Sequence, residues 1–275
     1  MSTARSTTRP GADAAAGAPV AVGREVRDLV GFGARAIVAL HRVPPYLGEA
    51  LRQASILITG TAVVMMGMQL VIGGECGLFT AYAGRTFGAS GTTGLFTLIC
   101  DQREMFPYMF GYILAAKVGC GLVAEIGSMR IAEEIDALEV MGVDSMVFIV
   151  ATRVLAALVA LPLLYVLSMA TGTLGSYLVV VHQVGDISGG AWAAGHFGPA
   201  HGLDEDLFSL LKAMVIGTAI ILVGAYYGYT AGGGPVGVGR ATARSMIVNL
   251  VLIHAIGGTM SILIWGTDSR LPIGG

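Results

Sequence analysis

The sequence predicts an all-α integral membrane protein: an N-terminal interfacial amphipathic helix, five transmembrane helices and one short cytoplasmic helix. Three observations carry this. Four uncharged runs, 54–74, 154–181, 213–239 and 245–267, each reach the roughly 20 apolar residues that a bilayer crossing needs. Only 12% of residues are charged, against roughly 25% in globular domains, and the mean hydropathy is +0.75. Lys and Arg are also unevenly shared between the segments that separate the runs, which sets an orientation.

Residues 1–20 have no apolar core and are not a signal peptide, so a disordered tail is expected there. Residues 21–53 read as an interfacial helix and connector. Val22, Val26, Leu29, Val30, Ile37 and Leu40 fall near one helical face, while Arg24, Arg27, Asp28 and Arg35 fall mostly elsewhere. A basic amphipathic helix ahead of a span usually lies in the membrane interface. The alternative is an ordinary helix with a solvated face. Pro44-Pro45 then turns the chain.

The spans are expected at about 54–78, 92–124, 146–181, 207–230 and 245–267, with 268–275 as an external tail. The second is the least tidy, because it carries Asp101, Arg103, Glu104 and Lys117. One reading starts it near Thr92 and puts Arg103 and Glu104 inside the membrane. The other starts it near Met105 and leaves residues 101–104 in external water. Pro162 falls inside the third span as an expected kink.

Residues 128–141 are too short to cross a bilayer. Ile131, Ile135 and Leu138 make an apolar stripe that Gly142 continues, and Glu133, Glu134, Asp136 and Glu139 crowd the rest. That acidity would repel an anionic leaflet, so a docking site for another protein is expected, with a plain connecting helix as the alternative.

Orientation follows from the basic residues. With the N-terminus cytoplasmic, ten Lys or Arg fall in cytoplasmic segments and two, Arg85 and Arg270, in external ones. The loop 182–206 has no Lys or Arg but holds Asp186, Asp204, Glu205 and Asp206. The net charge of −2 suggests no nucleic-acid partner. Cys76, Cys100 and Cys120 stand singly in apolar sequence and read as packing residues, with neither metal spacing nor a disulfide set. His182, His196 and His201 sit in the external loop among glycines and read as solvated.

The stretch "GPVGVGRAT" (234–242) imitates the phosphate-cradling pattern G-x-x-x-x-G-K-[ST]. Arg240 and Ala241 stand where that chemistry needs a lysine and a magnesium-binding hydroxyl. No strand is expected before it. It reads as a flexible cytoplasmic loop, not a nucleotide site.

"AEIGSMRIAEEIDALEVMGVD" (124–144), "TRVLAALVALPLL" (152–164) and "YYGYTAGGGPVGVGRATARS" (226–245) resemble the MlaE/YrbE permease family over roughly residues 50–266. The "GGGPVGVG" form resembles the YrbE permeases encoded with Mce proteins in actinobacteria. The resemblance implies an ABC-type lipid transporter in the plasma membrane, with a second permease, two separate ATPase subunits and Mce/MCE-domain proteins on the outer side. It implies no cofactor in this chain, ATP and magnesium being bound by the ATPases. Import of phospholipid, fatty acid or sterol is the expected direction. It also implies that 128–141 is a coupling helix whose Glu133, Glu134, Asp136, Glu139 and Met141 meet the ATPase, and that Arg103, Glu104 and Lys117 line the substrate pathway.

There are departures. The family's "AGR" is "AAK" here, so Lys117 replaces arginine; "RELGP" is "REMFP", keeping Arg103, Glu104 and Pro107; and His254 stands where some members have aspartate. Two other functions remain open, a membrane-embedded lipid-modifying enzyme and a small-solute carrier. Against the enzyme, the chain lacks H-E-x-x-H, paired-aspartate metal motifs and G-x-S-x-G.

Overall fold

The computed structural model describes residues 12–266, with side chains from Gly23 onward. Residues 1–11 of the expected tail and the expected external tail at 268–275 lie outside the described residues. Within them the chain forms α1 (Ala12–Ala39), α2 (Leu47–Thr86), α3 (Ser90–Ile131), α4 (Glu134–Val140), α5 (Met146–Val184), α6 (Gly189–His196), α7 (Leu203–Tyr229) and α8 (Gly234–Trp265). No strand occurs among the described residues. The five helices α2, α3, α5, α7 and α8 are long and apolar enough to cross a membrane. One end of the bundle carries α1, α4 and the α7–α8 turn, here termed the α4 end; the other carries α6.

Several boundaries differ from expectation, each for a physical reason. Helix α1 starts at Ala12, so residues 12–20 of the expected tail are helical; this stretch is rich in alanine, the strongest helix former. Helix α2 runs for 40 residues, well past the apolar run, because its flanking residues are themselves good helix formers. Helix α8 begins at Gly234, so "GPVGVGRAT" is not a loop but the opening turns of a helix. Pro235 suits a first helical turn, and Gly233 and Gly234, at φ +80° and +69°, make the bend before it. A Cβ on Gly237 would collide with the Gly232 carbonyl, so that tight entry requires glycine.

Residues 128–141 are not one helix. Helix α3 ends at Ile131, Glu133 takes φ +60°, and the short α4 follows. The break redirects the chain so that Ile135, fully buried, plugs into the main core. The cysteine reading is also corrected: Cys76 and Cys100 form a disulfide between α2 and α3, their Cα atoms 5.9 Å apart, and Cys120 stays free. Antiparallel neighbours bring together residues 24 apart in sequence, which spacing alone did not reveal.

The most extensive helix contact joins α2 and α5. A Cβ on Gly73 would strike the Gly172 carbonyl, and one on Gly175 the Leu70 carbonyl, so these helices touch backbone to backbone. Helix α7 sits against α3, α5 and α8, and Phe106, Phe110, Leu161, Tyr165, Ile216 and Ile220 fill the core between them. Pro162 lies inside α5. Helix α1 packs Phe32 and Ala36 against the bundle, with Phe32 between Tyr226 and Tyr229. Of its expected apolar stripe, Leu29 and Leu40 turn inward, whereas Val26, Val30 and Ile37 face outward and bare. Both flanks of α1 are therefore apolar.

Candidate functional site

The second span settles between its two readings. It is helical from Ser90, and Asp101, Gln102 and Arg103 are all buried in a π-helical turn, Ile99–Met105. Asp101, Gln102 and Arg103 are thus shielded from bulk water, while Glu104 is partly exposed. Asp101 faces Ser176 of α5.

Arg103 meets Glu205 of α7 in a two-pronged pair, Nε to Oε2 at 3.0 Å and Nη2 to Oε1 at 2.9 Å. Their side chains are 6% and 2% exposed. Trp265 of α8 donates its indole N–H to Glu205 and lies under the guanidinium, 5.3 Å from its centroid. Two turns further along α7, Lys212 is wholly buried. Its ammonium donates to the Arg103 carbonyl (2.8 Å), to Glu104 Oε2 (3.0 Å) and to Ser261 Oγ (2.7 Å), 4.5 Å from the Tyr108 ring centroid. Ser261 in turn donates to Glu104 Oε1. A charge at mid-bilayer costs at least about 2.5–3.5 kcal/mol on insertion scales, so charges there need partners. Here each has one.

Within this chain Arg103 is buried and joins α3 to α7. Glu104, 42% exposed, is the member of the cluster that opens outward. Glu205 and Lys212 were missed as site residues, because one reads as loop acidity and the other as a span boundary. The usable signal was their spacing of seven, two helical turns on one face.

From Glu104 a polar stripe runs down α3. Its members are Glu104, Tyr108, Tyr112, Lys117, Gly121 and Glu125, none fully buried. The steps are four, four, five, four and four residues. The five-residue step coincides with the π-helical turn Ala115–Gly119, whose wider turn absorbs one residue. Without it, Lys117 and Glu125 would rotate away from Glu104 and the tyrosines. Lys117 donates to the Gly60 carbonyl of α2. His254 of α8 donates from Nδ1 to the Leu250 carbonyl at 2.9 Å, which leaves Nε2 to accept the Tyr112 hydroxyl at 2.7 Å. Glu125, half exposed, accepts from the buried Arg153 of α5.

At the α4 end, Arg130 reaches Asp136 at 2.6 Å. Ser145 donates to Glu139. Glu133 and Glu134 are exposed, and beside them Val140 and Met141 are 89% and 69% exposed. The five expected coupling residues thus divide. Asp136 and Glu139 bond back to the bundle, while Glu133, Glu134 and Met141 project outward.

At the α6 end His182 is exposed, as expected of a solvated histidine, but His196 and His201 are not. His196 is buried and stacked on Trp192, ring centroids 4.5 Å apart. Burial first, and then the neighbouring His201, pushes its pKa down to about 4. His201 bonds Asp206 at 3.1 Å, and that carboxylate holds its pKa above the usual histidine value. His182 packs edge-on to Tyr177. Among the described residues one group, Cys76, Cys100 and Asp101, brings potential metal-ligating atoms together. Its two sulfurs are bonded to each other, so it offers no thiolate.

Comparison with known proteins agrees with this architecture. The family profile described as Permease MlaE matches residues 50–263. A "Probable ABC transporter permease protein" of Rickettsia bellii is 30% identical over 223 residues, 81% of this chain and 85% of the relative. The "Intermembrane phospholipid transport system permease protein MlaE" of Haemophilus influenzae is 25% identical over 235 residues, 86% of this chain and 89% of that protein. "Protein TRIGALACTOSYLDIACYLGLYCEROL 1, chloroplastic" of Arabidopsis thaliana is 27% identical over 194 residues, 65% of this chain and 53% of that one. These matches set aside the membrane-enzyme reading. Multi-pass in architecture and matched along most of its length, the chain belongs to the MlaE permease family.

Proposed function

We propose that this chain is the permease subunit of an ABC-type lipid transporter, and that the α3 stripe forms the polar side of its lipid path. One observation carries the reading. A face bearing Glu104, Lys117 and Glu125 along a span cannot sit against acyl chains, since charges at that depth face a cavity or a partner. A second permease facing this one would enclose the stripe. Lipid headgroups would then move along its polar groups while the tails stay in apolar surroundings. The name of the Haemophilus influenzae relative supports a phospholipid-like substrate. The "GGGPVGVG" form supports Mce-type partners on the outer side and import of lipid, fatty acid or sterol. The ten-to-two distribution of Lys and Arg supports a cytoplasmic N-terminus in the plasma membrane, which puts α4 on the ATPase side. There Glu133, Glu134, Val140 and Met141 offer an acidic and apolar surface to the ATPase, which holds ATP and magnesium.

The test is reconstitution of the complex with its ATPase in vesicles carrying labelled lipid. ATP-dependent lipid movement, lowered by Glu104→Gln, is the expected result. A complex that hydrolyses ATP yet moves no lipid with any acceptor present would refute the reading.

A further inference from the structure

The buried polar cluster of Glu205 and Lys212 and the short helix α4 lie at opposite ends of α7, and one small polar relay joins α4 to the near end of α7. Tyr229, the last residue of α7, places its hydroxyl 2.7 Å from Ser145 Oγ and 3.4 Å from Glu139 Oε1. Ser145, buried just before α5, donates to Glu139 at 2.6 Å. An ionised Glu139 only accepts, so Ser145 gives its proton to Glu139 and takes that of Tyr229. The relay has a direction: Tyr229 to Ser145 to Glu139. Beside it, Asp144 accepts from Arg42 at 2.7 Å and from the Met146 and Val147 amides, and Phe32 of α1 packs on the Tyr229 ring. Helices α1, α4, α5 and α7 therefore meet at this point.

We propose that Tyr229 and Ser145 are positioning residues that couple α4 to α7, so that movement imposed on α4 is passed to the polar cluster at the far end of α7. This rests on the permease reading above. The geometry is that of a lever. Helix α4 is joined to α3 through Glu133, a non-glycine residue at φ +60°, and its seven residues form a single short rod. Its near part is fastened by Ile135 and by Arg130–Asp136; its far part is held through Glu139. The exposed Val140 and Met141 directly follow Glu139, so a load on them reaches the relay first. Helix α7 then runs unbroken from Tyr229 back to Lys212 and Glu205, about 26 Å and about 36 Å away at 1.5 Å per residue.

The experiment uses the complete reconstituted transporter and measures lipid moved per ATP hydrolysed, together with ATPase co-purification and thermal stability. Tyr229→Phe and Ser145→Ala should each lower that ratio several-fold while the ATPase still co-purifies and hydrolyses ATP. The double variant should be no worse than the worse single one, because both break one relay. A purely structural role would lower stability and leave the ratio unchanged. A normal ratio in both variants, or additive losses in the double, overturns the proposal. If one variant fails to assemble, the other decides alone. A wild-type complex that fails to couple ATP to lipid would instead refute the underlying permease reading, so the two failures are distinguishable.

Discussion

Arg103 and Glu205 lie 102 residues apart in sequence and face each other with two parallel hydrogen bonds, both side chains buried. The pair fastens α3 to the first turn of α7. Removing Glu205 strips the buried Arg103 of two charge-assisted hydrogen bonds, and breaking a buried pair by removing one partner typically costs about 3–5 kcal/mol. Glu205→Ala is therefore expected to lower unfolding stability in detergent by that amount. Arg103→Met with Glu205→Met should recover most of the loss. A single variant as stable as wild type would show that the pair does not clamp the helices.

The stripe on α3 depends on one extra residue in a π-helical turn. Deleting Ala116 should restore α-helical winding and rotate the Lys117–Glu125 half by about 100° relative to Glu104. Expected is a chain that still inserts but loses lipid movement, with Cys introduced at 125 changing its reactivity to a polar thiol reagent. Normal transport by the deletion variant would contradict a continuous polar face.

The α6 end should respond to pH in two opposed ways. His196 has its pKa lowered from 6.5 to about 4, so the folded state favours its neutral form. That contribution is fully present above 6.5 and is lost as pH falls from 6.5 toward 4. His201 has a raised pKa, through Asp206 first, with Glu205 nearby. Its contribution is present below the ordinary histidine value and is lost as pH rises through the raised one. Trp192 fluorescence should report loosening of α6 on acidification, and His196→Phe should flatten that limb. An unchanged acid limb in the variant would exonerate His196.

The disulfide is checked by counting thiols. Unreduced protein should alkylate at Cys120 alone, and reduction should expose Cys76 and Cys100. Losing the link is expected to cost about 2–4 kcal/mol of stability. Equal labelling before and after reduction would rule the bond out.

The five spans were legible because apolar runs of bilayer length have few other readings. Their ends were not. Helix formation continues past the hydrophobic limit, as at Leu47–Ala54 and Gly234–Arg244, where backbone hydrogen bonding rather than lipid decides. Glu133 broke the predicted 128–141 helix because burying Ile135 outweighed the strain of a left-handed residue. At the candidate site, Arg103 and Glu104 stood out as charges in an apolar stretch. Lys212 and Glu205 did not, since their importance lies in facing α3 from another helix. The π turn at Ala115–Gly119 has no simple sequence mark at all.

Helices α2 and α5 touch through bare backbone at Gly73, Gly172 and Gly175, and α2 is bolted to α3 by Cys76–Cys100. Contacts without side chains between them leave no rotamers to change and no slack to take up. These three helices consequently behave as a stiff wall. Any movement of α7 against this wall has first to break the Arg103–Glu205 pair and the Lys212 contacts that hold it to α3.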